Sequence, residues 1–143
     1  MTETPSDGLN RGPERQGATV LLVEDEALLR SSIRRLLTEE GYTVLEAGNG
    51  AEALERLADS SAHGVALVLT DLRMPVMDGR QLAAAITRLR PNLPVVFMSG
   101  FTAQLMDMRL VSPNLALLAK PFHNDELLAM VRRHLRHSPD AHQ

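Results

Sequence analysis

Short apolar runs alternate with segments of helical periodicity along most of this chain. The runs predict five buried strands, at Thr19–Val23, Tyr42–Ala47, Val65–Thr70, Val95–Met98 and Leu115–Ala119. Because strands that alternate with helices are joined by right-handed crossovers, this pattern predicts a parallel sheet with helices on both faces. We therefore predict the α/β class, in the form of a doubly wound five-stranded sheet.

Five helices are predicted between and after these strands, from apolar spacing and from residues that cap helix ends. Gly41 closes the first helix as a left-handed terminator. Asn49 caps the second, with Glu52 in the capping-box position, and Asp78 caps the third. The fourth and fifth helices are predicted at Thr102–Leu110 and Asn124–His137. The predicted buried positions are Leu29, Ile33, Leu36 and Leu37 in the first helix, Ala51, Leu54, Leu57 and Ala58 in the second, Leu82, Ile86 and Leu89 in the third, and Leu127, Leu128, Val131 and Leu135 in the fifth.

Length and composition limit the kinds of protein that this chain can be. Its 143 residues, 44% apolar and 23% charged, suit one globular domain; we predict a disordered leader or linker over 1–17, the domain over 18–137 and a short tail over 138–143. With no cysteine, disulfides and thiolate chemistry are excluded. The net charge of −3 gives no general attraction to nucleic acid or anionic membrane. No membrane-spanning run and no signal pattern is apparent, so a cytoplasmic location is the default expectation.

Polar side chains stand at the ends of four of the predicted strands. Glu24 and Asp25 follow the first, Asp71 the third, Ser99 the fourth and Lys120 the fifth. Taken singly, each has a simpler explanation as a helix start, a turn residue or a solvated charge. In a parallel sheet, however, the carboxyl ends of the strands share one edge, which is where ligands bind. We therefore expect these five side chains to converge.

Three clustered carboxylates raise one another's pKa unless a cation lies among them. Oxygen ligands without nearby His or Cys suit a hard ion, and Mg²⁺ takes few protein ligands. Glu24, Asp25 and Asp71 are thus a candidate Mg²⁺ site. A carboxylate neutralised by Mg²⁺ can attack phosphorus and form an aspartyl phosphate. Lys120 and the Ser99 hydroxyl would then supply donors for the phosphoryl oxygens.

From about Thr19 to His137 the chain resembles a receiver domain of bacterial two-component response regulators. The segments that carry this resemblance are Val23-Glu24-Asp25-Glu26, Thr70-Asp71-Leu72-Arg73-Met74-Pro75, Met77-Asp78-Gly79, Met98-Ser99-Gly100 and Lys120-Pro121-Phe122. The resemblance implies a flavodoxin-like fold with strand order 2-1-3-4-5. It also implies that Asp71 accepts a phosphoryl group from a histidine kinase, a histidine phosphotransfer protein or a small phosphodonor.

The same resemblance implies the roles of the remaining site residues. Asp25 and Asp71 would bind Mg²⁺ directly with the backbone carbonyl of Arg73, while Glu24 acts through water. Ser99 would be the switch hydroxyl and Lys120 the counter-ion of the phosphoryl group. The Lys120–Pro121 peptide bond is expected to be cis.

One departure from the family's pattern concerns the position three residues before Lys120. The family often has Tyr or Phe there, whose ring turns inward with the switch hydroxyl, but this chain has Leu117. The favoured interpretation is that Leu117 packs at the edge of the core; the alternative is that Phe101 supplies a compensating movement. Phe101 and Arg73 also occupy positions that tune phosphoryl lifetime in this family.

The resulting hypothesis is a phosphorylation-driven switch rather than a turnover enzyme. Phosphorylation would alter the face built by the fourth helix, the fifth strand and the fifth helix, and so control a partner protein or a phosphorylation-dependent homodimer. Two alternatives stay open. One is a receiver fold used only as a binding scaffold; the other is a Mg²⁺-dependent phosphatase, although such enzymes usually carry a second acid where this chain has Arg73. The chain would be either a stand-alone receiver or one cut from a longer protein such as a hybrid sensor kinase.

Overall fold

The computed structural model describes residues 17–59, 64–74, 76–100 and 116–136. Five strands are found in these ranges: β1 (Thr19–Val23), β2 (Thr43–Ala47), β3 (Val65–Asp71), β4 (Val95–Ser99) and β5 (Ala116–Ala119). Four helices are described there: α1 (Ala27–Glu39), α2 (Gly50–Ala58), α3 (Gly79–Leu89) and α4 (Asn124–Arg136). The helix predicted at Thr102–Leu110 lies outside the described residues, as do Phe101 and both chain ends, so α4 is the fifth predicted helix.

All five strands are parallel and stand in the order β2-β1-β3-β4-β5, which confirms the predicted doubly wound topology. β3 is one residue longer than predicted, so Asp71 is its last residue and pairs with Met98 of β4. β4 likewise extends to Ser99, which pairs with Ala119. The ends of β1, β3, β4 and β5 therefore lie along one edge of the sheet.

The core lies on both faces of this sheet. Along β1, Val20 and Leu22 belong to an apolar cluster with α1 and α4, whereas Leu21 and Val23 belong to a second cluster with α2 and α3. Side chains alternate between the faces of a strand, so a strand that is covered on both sides is apolar throughout. The continuous apolar runs in the sequence are explained by this arrangement.

The cap residues predicted from the sequence lie at the end of α1 and at the start of α2. Gly41, just beyond α1, has a φ of +98°, in the left-handed region that favours glycine. The side chain of Asn49 accepts a hydrogen bond of 2.8 Å from the backbone N–H of Glu52. The carboxylate of Glu52 accepts from the N–H of Gly48 rather than from Asn49, so the expected capping box is only half formed.

The predicted buried face of α3 is wrong at its last residue. Leu82 and Ile86 are fully buried, but Leu89 is 58% exposed. Leu89 is where the helix ends, and Leu93 from the following loop is buried in the same cluster as Ile86. The chain thus fills the space beyond Ile86 from the loop instead of from the helix.

The predicted face of α2 is also partly wrong. Ala51 and Ala58 are exposed, whereas Ala53 is buried together with Gly50 and Leu57. Alanine gives a weak signal because it is compatible with either side of a helix. All four predicted positions of α4 are buried. In α1, Ile33 and Leu37 are buried, whereas Leu29 and Leu36 are half-buried. No described helix is long and apolar enough to cross a membrane.

Candidate functional site

Three carboxylates meet at the edge where β1 and β3 end. Oxygen atoms of Glu24, Asp25 and Asp71 all lie within 4.8 Å of one another. Glu24 is 1% exposed and Asp71 8% exposed, while Asp25 is open to solvent. The convergence predicted for these three residues is therefore present.

Lys120, which follows β5, lies between two of these carboxylates. Its Nζ donates to Oε1 of Glu24 at 3.3 Å and to Oδ1 of Asp71 at 3.2 Å. Its backbone N–H donates to the carbonyl of Ser99 at 2.9 Å. The Lys120–Pro121 peptide bond is cis, as expected. One residue thus connects the ends of β1, β3, β4 and β5.

Backbone N–H groups fix the two buried carboxylates. Leu72 donates to Oδ1 of Asp71 at 3.1 Å, and Glu26 donates to Oε2 of Glu24 at 3.1 Å. Burial nevertheless raises the pKa of both Glu24 and Asp71, because loss of hydration penalises the charged form more than these contacts and Lys120 favour it. Repulsion from neighbouring carboxylates raises the pKa of each further. The cluster is therefore deficient in positive charge.

The pKa of Lys120 responds to the same environment in the opposite sense. Burial alone would lower it, but attraction and hydrogen bonding to Asp71 and Glu24 outweigh that effect, and the pKa is raised above 10.5. The side chain therefore stays an ammonium at neutral pH. It can therefore donate charged hydrogen bonds to an anion bound beside Asp71.

The donor set fits a hard divalent cation. The cluster offers only carboxylate oxygens, one of them exposed, and its charge deficit would be relieved by a bound cation. Mg²⁺ prefers such oxygens and keeps several waters, which the open side at Asp25 can accommodate. The residues present thus fit Mg²⁺.

Ser99 and Arg73 lie at the same edge, but in different settings. Ser99 ends β4, is 2% exposed and is joined to Lys120 through its carbonyl. Arg73 is exposed, two residues beyond Asp71. The role of the Arg73 carbonyl as a metal ligand stays a prediction.

Leu117, the residue in place of the family's aromatic side chain, is 6% exposed. It packs with Leu72 and Phe97 in a small apolar cluster behind Asp71. This position agrees with the interpretation of Leu117 as core packing. Among the described residues, Phe97 places an aromatic ring beside this cluster, one strand away from Leu117 and in register with it.

Gly79 and Arg30 contribute to the site in ways that the sequence did not reveal. A Cβ on Gly79 would lie 2.6 Å from the carbonyl oxygen of Asp71, so only glycine permits α3 to begin this close to β3. The guanidinium of Arg30 donates to the carbonyl of Glu24 at 2.7 Å. Gly79 was visible only as part of a motif. Arg30 gave no signal, because a side-chain hydrogen bond to a backbone carbonyl six residues away leaves no pattern in the sequence.

Comparison with known proteins agrees with this geometry. The sequence model of the family described as "Response regulator receiver domain" matches residues 20–132. The response regulator receiver protein CpdR of Brucella abortus is 37% identical over 117 residues, which cover 81% of this chain and 95% of CpdR. The sensor kinase CckA of the same organism is also 37% identical, but the match covers 82% of this chain and only 12% of CckA.

Solved structures give the same result. The receiver domain of the hybrid histidine kinase CckA is 34% identical, with a TM-score of 0.67, over 81% of this chain and 97% of that domain. The chemotaxis protein CheY4 of Vibrio cholerae is 26% identical, with a TM-score of 0.71, over 81% of this chain and 97% of that structure. The chain therefore belongs to the response regulator receiver domain family, whose members are regulatory phosphoacceptor switches of two-component signalling.

Proposed function

We propose that Asp71 is the phosphoacceptor of this receiver domain. The observation that carries the proposal is the meeting of the Glu24, Asp25 and Asp71 oxygens within 4.8 Å, with the Lys120 ammonium 3.2 Å from Asp71. Among the described residues, both hydrogen bonds to the Asp71 carboxylate go to Oδ1. We therefore assign Oδ2 as the nucleophile.

Receiver domains bind Mg²⁺ through acidic residues, and this chain offers such a cluster. In the proposal, Asp25, Asp71 and the carbonyl of Arg73 hold the ion directly, and Glu24 holds it through water. When bound, Mg²⁺ offsets the charge of the carboxylates and of the incoming phosphoryl oxygens. The increased pKa of buried Glu24 and Asp71 supports this, since both carboxylates need a cation to remain charged at low cost.

In the phosphoryl transfer itself, Oδ2 of Asp71 attacks phosphorus and forms the new O–P bond. The bond from phosphorus to the donor breaks, and its electron pair leaves with the histidine nitrogen of a kinase or phosphotransfer protein, or with the acetate oxygen of acetyl phosphate. Lys120 and the Ser99 hydroxyl bind phosphoryl oxygens as the group arrives. The reaction needs positioning and charge compensation, both of which these side chains supply.

Phosphorylation then alters the surface that includes β5 and α4, together with the helix predicted at Thr102–Leu110. The reason is that Lys120 is bound to Asp71 through its side chain and to Ser99 through its backbone, so a new anion at Asp71 pulls on the ends of two strands. In the proposal, residues 18–137 form a cytoplasmic domain that receives its phosphoryl group from a histidine kinase or a phosphotransfer protein. Its output is contact with a target protein or formation of a homodimer. The domain itself binds neither nucleic acid nor membrane.

Incubation with Mg²⁺ and acetyl phosphate, followed by intact-mass measurement, tests the phosphoacceptor. We expect a single phosphoryl adduct on the unaltered chain and none on Asp71→Asn. Glu26→Gln is the matched control, because Glu26 is an exposed acid of the same loop whose side chain caps nothing, and this variant should keep the adduct. An adduct that survives Asp71→Asn would disprove the assignment.

The same experiment separates the two alternatives. A chain that never forms an adduct, even with saturating Mg²⁺, would be a binding scaffold with the receiver fold. A chain that consumes many equivalents of phosphodonor rapidly would be a phosphatase that uses the aspartyl phosphate as an intermediate. The regulatory proposal predicts one stable equivalent per chain on the timescale of the measurement.

A further inference from the structure

Arg30 of α1 joins the acidic site to the neighbouring strand. One of its terminal nitrogens donates to the backbone carbonyl of Glu24 at 2.7 Å, and its Nε donates to the carboxylate of Glu46 at 3.2 Å. The side chain is 24% exposed, so the guanidinium is largely removed from water. A half-buried arginine with two fixed acceptors is a geometric constraint on both of them.

The carbonyl of Glu24 belongs to the peptide group that also contains the N–H of Asp25. Arg30 therefore fixes the plane from which the Asp25 side chain departs. The N–H of Glu24 donates to the carbonyl of Ala47 at 3.1 Å, so the backbone of Glu24 is held on both sides. Among the described residues no hydrogen bond reaches the Asp25 carboxylate, which leaves its direction to the backbone.

Glu46 is itself held in place, so it offers Arg30 an acceptor in a fixed position. It lies on β2 in register with Leu22 of β1, and its carbonyl accepts from Nε of Arg56 at 2.6 Å. Its carboxylate also pairs with Arg34 at 3.1 Å. Arg34 and Arg30 thus share the same anion, but only Arg30 is seen to reach Glu24.

We propose that Arg30 is a positioning residue for the acidic cluster: by holding the Glu24–Asp25 peptide against β2, it sets the Asp25 carboxylate in place to bind a divalent cation. The inference rests on the proposed Mg²⁺ site. It concerns a residue that touches neither the cation nor the phosphoryl group in that proposal. Outer contacts of this kind commonly govern metal affinity by fixing the ligands.

The charge of Arg30 and its positioning contact predict opposite effects of its removal on the affinity for Mg²⁺. Arginine is a cation, so its removal should by charge alone strengthen binding of Mg²⁺ to the nearby carboxylates. Loss of the positioning contact should weaken binding instead. Arg30→Met keeps much of the apolar stem and removes both effects at once, and the direction of the change shows which dominates.

The test measures the Mg²⁺ dissociation constant by calorimetry for the unaltered chain, Arg30→Met, Arg30→Lys and Arg34→Met. We expect the constant to rise roughly tenfold in Arg30→Met, at the lower end of the range for lost outer contacts. Arg34→Met is the matched control, because it removes the same charge from the same Glu46, and we expect it to stay within about twofold of the unaltered chain. Arg30→Lys should fall between them, since an ammonium lacks the fork that serves both acceptors.

A second measurement needs no metal. Amide hydrogen exchange at Asp25 and Glu26 in the metal-free protein should become faster in Arg30→Met and not in Arg34→Met, while urea unfolding confirms that both variants are folded. If Arg30→Met does not fold, Arg30→Lys carries both measurements. A chain that never binds Mg²⁺ would overturn the proposed site. Binding that is unchanged or tighter in the Arg30 variants, with unchanged exchange, would overturn only the role of Arg30.

Discussion

Two carboxylates, those of Glu24 and Asp71, are removed from water at the edge of the sheet, although only one ammonium lies between them. Burial of an ionised group is costly unless it is paired and hydrogen-bonded. The raised pKa of both groups expresses that cost. In the metal-free protein, each of these two buried carboxylates is therefore stabilised either by taking up a proton or by a cation bound beside it.

We predict that stability of the metal-free chain falls as pH rises above the ordinary carboxyl pKa values of 4.5 and 3.8. In that range the folded state keeps protons that the unfolded chain has released, so deprotonation favours unfolding. Lys120, whose pKa is raised above 10.5, stays charged and does not contribute. Urea unfolding at a series of pH values measures the slope, and saturating Mg²⁺ should remove the decline because the ion binds the deprotonated folded site.

Asp71→Asn is the control for this pH dependence. It removes one of the two raised carboxyls, so the decline of the free energy of unfolding should become smaller without vanishing, since Glu24 remains. A decline that is as steep in Asp71→Asn as in the unaltered chain would contradict the raised pKa of Asp71.

At the scale of the element, the segment between β3 and α3 is held at both of its ends. The N–H of Gly79 donates to the carbonyl of Leu72 at 2.8 Å, and Asp78 forms a full capping box with Gln81. The side chain of Met77 packs against Gly50 at the start of α2. These contacts set the start of α3 directly behind the carbonyl of Asp71.

Gly79→Ala tests the close approach of α3 to β3. The new Cβ would lie 2.6 Å from the Asp71 carbonyl and 3.0 Å from Cα of Leu72, both backbone atoms that cannot give way cheaply. We expect the free energy of unfolding to fall by about 1–3 kcal/mol, the usual cost of overpacking, and adduct formation at Asp71 to slow. Gly64→Ala is the matched control, because no described atom lies within 4 Å of its Cβ, and it should leave stability unchanged or slightly raised. Equal effects of the two substitutions would refute the packing argument.

Val76 lies in the same segment, has a φ of +72° and is 95% exposed. A β-branched residue is strained there, and nothing is gained from burial. We predict that Val76→Asn raises the free energy of unfolding by about 1 kcal/mol, since asparagine tolerates left-handed backbone. Val76→Thr keeps the branched Cβ and should not stabilise. Thermal or urea unfolding of both variants measures the difference, and a threonine variant as stable as the asparagine one would disprove the strain.

The sequence was most informative where many residues carry the same pattern. Apolar runs and alternation predicted the parallel sheet, and a parallel sheet dictates that Asp25, Asp71 and Lys120 share an edge. The burial and backbone conformation of single residues were harder to predict. Leu89 has the right spacing for burial but ends its helix, and the left-handed backbone at Val76 is imposed by the loop rather than by its own preference. The contact from Arg30 to Glu24 depends on how α1 is placed on the sheet, which no local pattern encodes.

At the scale of the whole molecule, α4 is attached to the sheet mainly by apolar contacts. Leu127, Val131 and Leu135 are buried in the cluster that also contains residues of α1, β1 and β3. The ion pair between Arg132 and Glu40, 3.8 Å long and partly exposed, contributes little by comparison. We therefore expect a change at the ends of β4 and β5 to reach α4 through this packing, whereas α2 packs on the opposite face of the sheet.

This arrangement predicts which helices and strands change their hydrogen exchange on phosphorylation. With Mg²⁺ and excess acetyl phosphate, hydrogen exchange should change in β5 and in α4, because a phosphoryl group at Asp71 competes for the Lys120 side chain, whose backbone holds Ser99. Exchange in α2 should change much less, since its buried residues pack mainly with β1, β2, β3 and α3, and of β4 only the partly buried Val95 adjoins that cluster. Asp71→Asn under identical conditions is the control and should show no change anywhere. A response confined to the loops around Asp71, or one equally strong in α2, would contradict transmission through Lys120 and would require another route from the site to the surface.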